Sequence, residues 1–525
     1  MFLRAFNGKS WLRAWPAVAA ALFALGAVAA PVEKARLGRV TVVEVVLPAR
    51  AVLDELIRQG YDISSVRGDI ATIYATDEEL GSLTQAGHDY RVVEIQEPGG
   101  KQLSGYHDYA SLTADLETYA TAHSNICRLQ SLGQSVQGRE LWAMLITDYP
   151  DEEEDEPEFK YIATIHGDES LGGEMCLYFI DMLLTEYDAN NPRIVDLIDN
   201  TVIWIVPAMN PDGLQNNSRY NARGYDLNRN FPAYPMHFTE TIFEGEPLGD
   251  AKRELEVAHI MRWTAENSFV LGGEFHSGAL VMNYPYDDDG HGSVDSPTPD
   301  DLIFEEVSRW YSIHNLLMWK SPSFYQGITN GATWYSITGG MEDWNYRYLS
   351  CNDVIIEISN IQRPKPSLLP AYWADNGESM LSYLEAVHVG VRGIVTDSAT
   401  GEPLWAQMTV AGNAHPVFTD GDIGDYHRML LPGTYDLTFN AGGYLAQTIG
   451  DVIVSDGPAT RIDVSLVLDA DLSGDGDIDF KDFALFAAQW GTETCRYCPG
   501  EYTGDGIVDA TDLSRFLAYW LWDTE

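Results

Sequence analysis

His166-Gly167-Asp168-Glu169 directly follows an apolar run, Tyr161–Ile165. An imidazole and a carboxylate three residues apart at a strand end can both point at one cation. A catalytic zinc takes three protein ligands and keeps a fourth position open for water. H-x-x-E alone is a weak signal, since most instances arise by accident. No H-E-x-x-H occurs, which excludes the zinc class built on that motif. Further groups follow in order. Asn210-Pro211-Asp212-Gly213 comes after the apolar run Val202–Val206, and Arg219 comes next. The segment Gly224 to Pro232 contains Asp226, Asn228 and Arg229. Gly273-Glu274-Phe275-His276 brings a second imidazole, and Asn283-Tyr284-Pro285-Tyr286-Asp287 a carboxylate. Tyr335 and Glu342 lie between Gly327 and Tyr346, and Val354-Ile355-Ile356-Glu357 ends on a glutamate. Taken singly, Arg229 reads as a surface ion pair, Tyr335 as a core aromatic and His276 as a satisfied strand-end histidine.

Together and in this order, the motifs resemble the zinc carboxypeptidases of the carboxypeptidase A-like metallopeptidase family, in its N/E (regulatory) branch. The resemblance implies that His166, Glu169 and His276 bind one catalytic zinc ion. Asp226 would accept the hydrogen bond that orients His166. Glu357 would be the general base that takes a proton from the attacking water and passes it to the leaving amine. Arg219 would polarise the scissile carbonyl and hold the developing oxyanion. Asn228 and Arg229 would grip the terminal carboxylate of the substrate, and Tyr335 would close over it. Asp168 departs mildly from the branch, which typically carries asparagine there. In the branch an aspartate eleven residues after the last zinc histidine selects lysine or arginine, and Asp287 occupies that position. The other pocket position, usually glutamine, is Glu342 here. Two carboxylates facing one pocket would hold a cationic side chain, and would raise one pKa when the pocket is empty. The expected activity is hydrolysis of the C-terminal peptide bond of peptides or proteins, with preference for Lys or Arg. Two other readings stay open: a zinc amidase acting on peptidoglycan-stem or other amino-acyl substrates, and a non-catalytic binding protein. Retention of Glu357 with all three metal ligands speaks against the second.

Several units must hold these groups. Residues 31–100 read as a small α/β unit. Strands are expected at Val40–Leu47, Ile70–Ala75 and Tyr90–Ile95, with helices from Arg50 to Gln59 and from Asp77 to near Gly87. Pro98-Gly99-Gly100 then punctuates the chain as a linker. Placed between an export signal and a large domain, this unit has the position of a pro-segment. Residues 101–388 alternate helical and strand patterns, with apolar runs fit for buried parallel strands. The resemblance implies α/β architecture there, a mixed eight-stranded sheet flanked by helices. The acidic run Asp151–Glu158 reads as a solvated loop. Residues 389–468 change to short alternating strands with Pro432-Gly433 and Gly442-Gly443 turns, an all-β sandwich similar to the branch's transthyretin-like domain.

Residues 469–525 hold an internal repeat. Asp471, Ser473, Asp475, Asp477, Asp479 and Asp482 follow EF-hand calcium-loop spacing, with Gly476 at the turn. Glu501, Thr503, Asp505, Asp509 and Asp512 form a second, weaker copy. Paired loops of this type resemble a dockerin type I domain. The resemblance implies one or two structural calcium ions and a cohesin-like or surface-anchoring partner. A calcium-stabilised tail without a partner is the simpler alternative.

Composition fits this picture. The 525 residues carry a formal charge of −47, which argues against a nucleic-acid partner and favours metal ions and cationic ligands. Five cysteines are too few for a disulfide framework. Cys495 and Cys498 form a C-x-x-C, read as a redox or metal pair or, more simply, as a local staple. Residues 1–30 contain Arg4, Lys9 and Arg13, no acid, and an apolar run Ala17–Val28 ending in small residues. This is the pattern of a secretory signal, too short for a membrane span. The expected location is secreted, periplasmic or cell-surface, with no membrane span in the mature chain.

Overall fold

The computed structural model describes residues 35–96, 104–233, 253–474, 478–492, 500–503 and 506–518. The signal segment 1–30, the linker at Pro98–Gly100, Asp475, Asp477, Asp505, Cys495 and Cys498 lie outside the described residues.

The N-terminal unit runs β1 (Val40–Val46), α1 (Arg50–Arg58), β2 (Asp62–Arg67), β3 (Ile70–Thr76), α2 (Asp77–Ala86) and β4 (Tyr90–Gln96). Its sheet has the order β2-β3-β1-β4. The sequence reading lacked β2. Its residues, Asp-Ile-Ser-Ser-Val-Arg, are half polar, and a strand that pairs antiparallel with β3 needs no apolar run to form. Helix α2 starts where expected, because Thr76 and Glu79 close a capping box.

The central domain carries α3 (Tyr109–Ala122), β5 (Cys127–Gln134), β6 (Glu140–Ile146), β7 (Glu158–Ala163), α4 (Leu171–Asp188), α5 (Pro192–Ile198), β8 (Val202–Val206) and α6 (Pro211–Asn216). It continues with α7 (Leu255–Glu266), β9 (Phe269–His276), β10 (Leu280–Tyr284), α8 (Asp301–Ser312), α9 (Leu316–Trp319), β11 (Ile328–Asn330), α10 (Gly331–Trp334), α11 (Met341–Leu349), β12 (Asn352–Ile358) and α12 (Leu369–Glu385). Eight strands form one mixed sheet in the order β11-β10-β12-β9-β7-β8-β6-β5. The inner strands β12, β9, β7 and β8 are parallel and almost wholly buried, so they read as continuous apolar runs rather than alternating ones. Two apolar cores cover the two faces. One contains Phe159, Tyr161, Phe179 and Phe275; the other contains Trp204, Trp263, Phe269 and Trp344. Gly172 in α4 is required by close packing, since a Cβ there would stand 2.4 Å from Cβ of Phe275.

The sandwich comprises β13 (Val391–Asp397), β14 (Gln407–Val410), β15 (Asn413–Phe418), β16 (Asp425–Arg428), β17 (Gly433–Asn440), β18 (Gln447–Val454), β19 (Thr460–Arg461) and β20 (Val464–Leu466). It docks on the central domain through Arg428 and Asn413, both bonded to Asp300, and through His415 stacked 4.0 Å from the ring of Tyr346. The acidic run is not a freely solvated loop. Asp155 pairs with Arg392 and Arg461 of the sandwich, and Glu158 accepts from the backbone of Ser268. Complementary charge on the second domain explains the difference. The tail contributes α13 (Phe480–Ala487) and α14 (Ala510–Ala518). Phe486, Tyr502 and Phe516 join the sandwich core, so tail and sandwich share one apolar interior.

Candidate functional site

The site forms where the parallel strands end, the usual location for a crevice in such sheets. His166 follows β7 by three residues, Glu169 precedes α4, His276 is the last residue of β9, and Glu357 lies opposite His276 on β12. Gly167 permits the approach of α6, because a Cβ there would lie 1.9 Å from the carbonyl carbon of Gly213.

His166 Nδ1 stands 3.0 Å from Glu169 Oε1, and His276 Nδ1 stands 3.1 Å from Glu169 Oε2. One ligand atom from each of the three lies within 4.8 Å of the others, and all three residues are buried. Two imidazole nitrogens and one carboxylate converging on one point form the donor set of a catalytic zinc site. Nε2 of His166 lies 3.0 Å from Asp226 Oδ1, which fixes the ring with Nδ1 toward the cluster. Burial alone would raise the Glu169 carboxyl, but the two histidines hold it well below the usual range.

Arg219 is buried at the cluster's edge. Its Nη1 lies 3.3 Å from Glu169 Oε1 and its Nη2 lies 2.7 Å from Asp226. Glu357 accepts from the backbone of Ala279 at 3.2 Å. Burial, helped by the charge of Glu169, pushes Glu357 up to about 7. Asn228 accepts from the backbone of Met341 through its Oδ1, and Arg229 donates to the Asn228 carbonyl. A cleft of about 350 Å³ is lined by His166, His276, Glu357, Arg219, Asn228, Arg229, Tyr335 and Asp287, eight of the residues that the sequence singled out. A larger cavity of about 620 Å³, lined in part by Trp405 and Phe418, lies far from this chemistry, against the sandwich.

Asp287 is buried and accepts from Asn283 at 3.0 Å. Gly331 leaves the space for it, since a Cβ there would stand 1.8 Å from Asp287 Oδ1. Burial pushes Asp287 up to about 6. Glu342 does not line the cleft. It is wholly buried beside Asp287, accepts from the backbone of Ile355, and burial and the charge of Asp287 hold it well above the carboxylate range. The expected pair of carboxylates therefore faces the pocket through one member only.

The N-terminal unit reaches this cleft, which sequence reasoning missed. Asp62 Oδ2 lies 3.2 Å from Arg219 Nε and 2.6 Å from the hydroxyl of Tyr220. Arg229 donates to the carbonyl of Ile63 at 3.0 Å, and Tyr335 donates to the carbonyl of Ser64 at 2.9 Å. Trp334 donates to the carbonyl of Val66 at 2.8 Å, and Tyr74 donates to Asp168 at 2.7 Å. Trp334, Tyr335, Ala279 and Val281 belong to the core of the N-terminal unit. Nothing in a polar strand signals such contacts.

In the tail, Asp482 accepts from the backbone of Ser473 and Asp479, and Asp512 from that of Tyr502, Thr503 and Asp509. Asp471 accepts from Gly474 and Glu501 from Thr503. No three candidate metal ligands converge in the tail among the described residues.

The zinc carboxypeptidase family profile matches residues 112–379, and a carboxypeptidase regulatory-like domain matches residues 390–467. The chain belongs to the zinc carboxypeptidase family. It is 37% identical over 393 residues to the carboxypeptidase N catalytic chain of Rattus norvegicus, covering 69% of this chain and 86% of that one. It is 38% identical over 383 residues to carboxypeptidase D of Homo sapiens, of which it spans 27%. The carboxypeptidase A of Helicoverpa armigera shares the fold, with a TM-score of 0.51 at 19% identity, covering 67% of this chain and 98% of that one. The family carries a catalytic zinc ion, and the donor set described above fits one.

Proposed function

We propose that the chain is a secreted zinc metallocarboxypeptidase that removes C-terminal residues from peptides or proteins, preferring lysine or arginine. The observation that carries this reading is the convergence of His166, Glu169 and His276 on the cleft that also holds Glu357 and Arg219. When bound, zinc would polarise the scissile carbonyl and lower the pKa of water. The chain's own residues do the rest. Asp226 orients His166. Glu357, raised into the neutral range, accepts a proton from water and returns it to the leaving amine. Arg219 supplies positive charge for the oxyanion. Arg229 takes the terminal carboxylate with its guanidinium fork, beside the Nδ2 donors of Asn228, and Tyr335 packs over the substrate. This carboxylate clamp favours a carboxypeptidase over a zinc amidase. Asp287 holds the cationic side chain, while Glu342, kept protonated by burial and by the charge of Asp287, stays behind it. Release rates from matched peptides ending in Arg, Lys, Phe and Glu, with and without chelator, test this. Faster release of Phe would sink the preference. Glu357→Gln should lower turnover by about 10²–10⁴-fold with zinc still bound.

We read the N-terminal unit, residues 31–100, as a pro-segment that masks the site. Support comes from Asp62 and Ile63, which occupy the two arginines meant for substrate. The tail is read as a dockerin-like, calcium-binding module for a cohesin-like or surface partner. Residues 1–30 are read as its export signal, and among the described residues no helix is long and apolar enough to cross a membrane.

A further inference from the structure

The two histidines at the centre present the same face to the cluster and differ behind it. His166 has Asp226 at 3.0 Å from its Nε2. His276 Nε2 is buried without a hydrogen-bond partner. The carboxylate closest to it in charge contact is Glu274, with Oε2 at 3.9 Å. Glu274 is 1% exposed, and both of its oxygens also lack a partner. A buried ring N–H and a buried carboxylate are each costly when left unpaired, so two such orphans facing each other need an explanation. Position in the sheet supplies one. Residues 274 and 276 alternate with Phe275 on β9, so their side chains share one face. The neighbours of Glu274 in register are Ile162 and Ile355, which offer it no donor from their side chains. Lys160, the nearby cation, is held by Thr264 and stands 3.9 Å from Asp353.

We propose that Glu274 is a positioning residue for His276: its carboxylate, 3.9 Å from Nε2, attracts the Nε2–H and fixes Nδ1 toward the metal, in the place that Asp226 takes behind His166. The proposal rests on the reading of His166, Glu169 and His276 as the zinc site. Outer carboxylates of this kind typically change metal affinity about 10–100-fold when removed.

The test is metal binding by the full chain, which reads positioning without catalysis. Zinc affinity is measured by chelator competition, and the cobalt-substituted protein gives a visible spectrum that reports ligand geometry. Glu274→Gln keeps size and an acceptor but loses the charge, and should bind zinc roughly 10-fold more weakly with a shifted cobalt spectrum. Glu274→Leu should lose about 10–100-fold. Native zinc affinity and an unchanged cobalt spectrum in Glu274→Gln would overturn the proposal, even if Glu274→Leu does not fold. A change confined to melting temperature would also overturn it, assigning Glu274 to the Lys160 and Asp353 cluster instead. Absence of zinc binding by the native protein would overturn the metal reading itself, a different outcome from native binding that the variants share.

Discussion

Replacing Asp62 with alanine tests whether the N-terminal unit holds the cleft shut. Asp62 is buried, and its carboxylate meets both Arg219 and Tyr220. Burial alone would raise its pKa, but the Arg219 guanidinium holds it below the ordinary aspartate value, so it is ionised at neutral pH. Removing one partner of a buried ion pair costs about 3–5 kcal/mol when the other is left uncompensated. Arg219 keeps Glu169 and Asp226, so its charge stays matched and the loss falls at the lower end. About 3 kcal/mol corresponds to roughly 10²-fold in the balance between docked and released unit. The backbone contacts of Ile63, Ser64 and Val66 remain, so release is partial rather than complete. The assay is kcat/KM on a peptide ending in arginine, for the full native chain, for Asp62→Ala, and for native chain cleaved between residues 97 and 103. The native chain should be slow, Asp62→Ala up to about 10²-fold faster, and the cleaved protein the ceiling. Equal rates for all three would refute masking. Inactivity of all three would instead refute the catalytic reading.

Three further expectations follow from particular contacts. Asp287→Asn should cut kcat/KM on arginine-terminated peptides by about 10-fold or more, the scale of a lost charged hydrogen bond, and leave phenylalanine-terminated ones nearly unchanged. Glu342→Gln should change little, because burial already keeps Glu342 neutral; equal effects of the two substitutions in steady-state kinetics would contradict the pocket. Calcium should raise the melting temperature of the full chain, because tail and sandwich share a core, and Asp471→Ala should weaken that response. Calorimetry showing no calcium effect would count against the tail reading. Burial pushes His388 and His415 down to about 4, against 6.5 when unfolded. The unfolded chain then binds more protons between those values, so their contribution is present above pH 6.5 and lost as pH falls toward 4. His415→Phe, which keeps a ring against Tyr346, should flatten part of that loss in melting temperature. Parallel pH profiles for the two proteins would contradict it.

Much of the candidate site was legible because its motifs occur in the order that resembles the zinc carboxypeptidases, several of them next to strand ends. His166 follows β7 by three residues and His276 closes β9, and an apolar run followed by a polar cluster marks such an end without knowledge of the fold. Glu342 was legible as a residue but not as a role. Its spacing admits either a pocket wall or a buried support, and only its burial beside Asp287 decides. Strand β2 was illegible for the opposite reason: the Asp62 carboxylate is met by Arg219 and Tyr220, and the carbonyls of Ile63 and Ser64 by Arg229 and Tyr335, all more than a hundred residues away.

The motifs in the sequence, through their resemblance to the zinc carboxypeptidases, put the chemistry on offer: two imidazoles and a glutamate for a metal, a second glutamate for protons and arginines for carboxylates; periodicity and turn residues marked the division into an α/β domain, a sandwich and an acidic tail. The division rests on local facts of residue type, periodicity and turn chemistry, and the roles rest on the order of the motifs. Folding settled the contacts between segments that no motif links. It turned the orphan carboxylate of Glu274 toward His276, withdrew Glu342 from the cleft, and laid Asp62 and Ile63 on Arg219 and Arg229. Such pairings depend on strand order and on docking between distant segments, and residue spacing along the chain does not encode them.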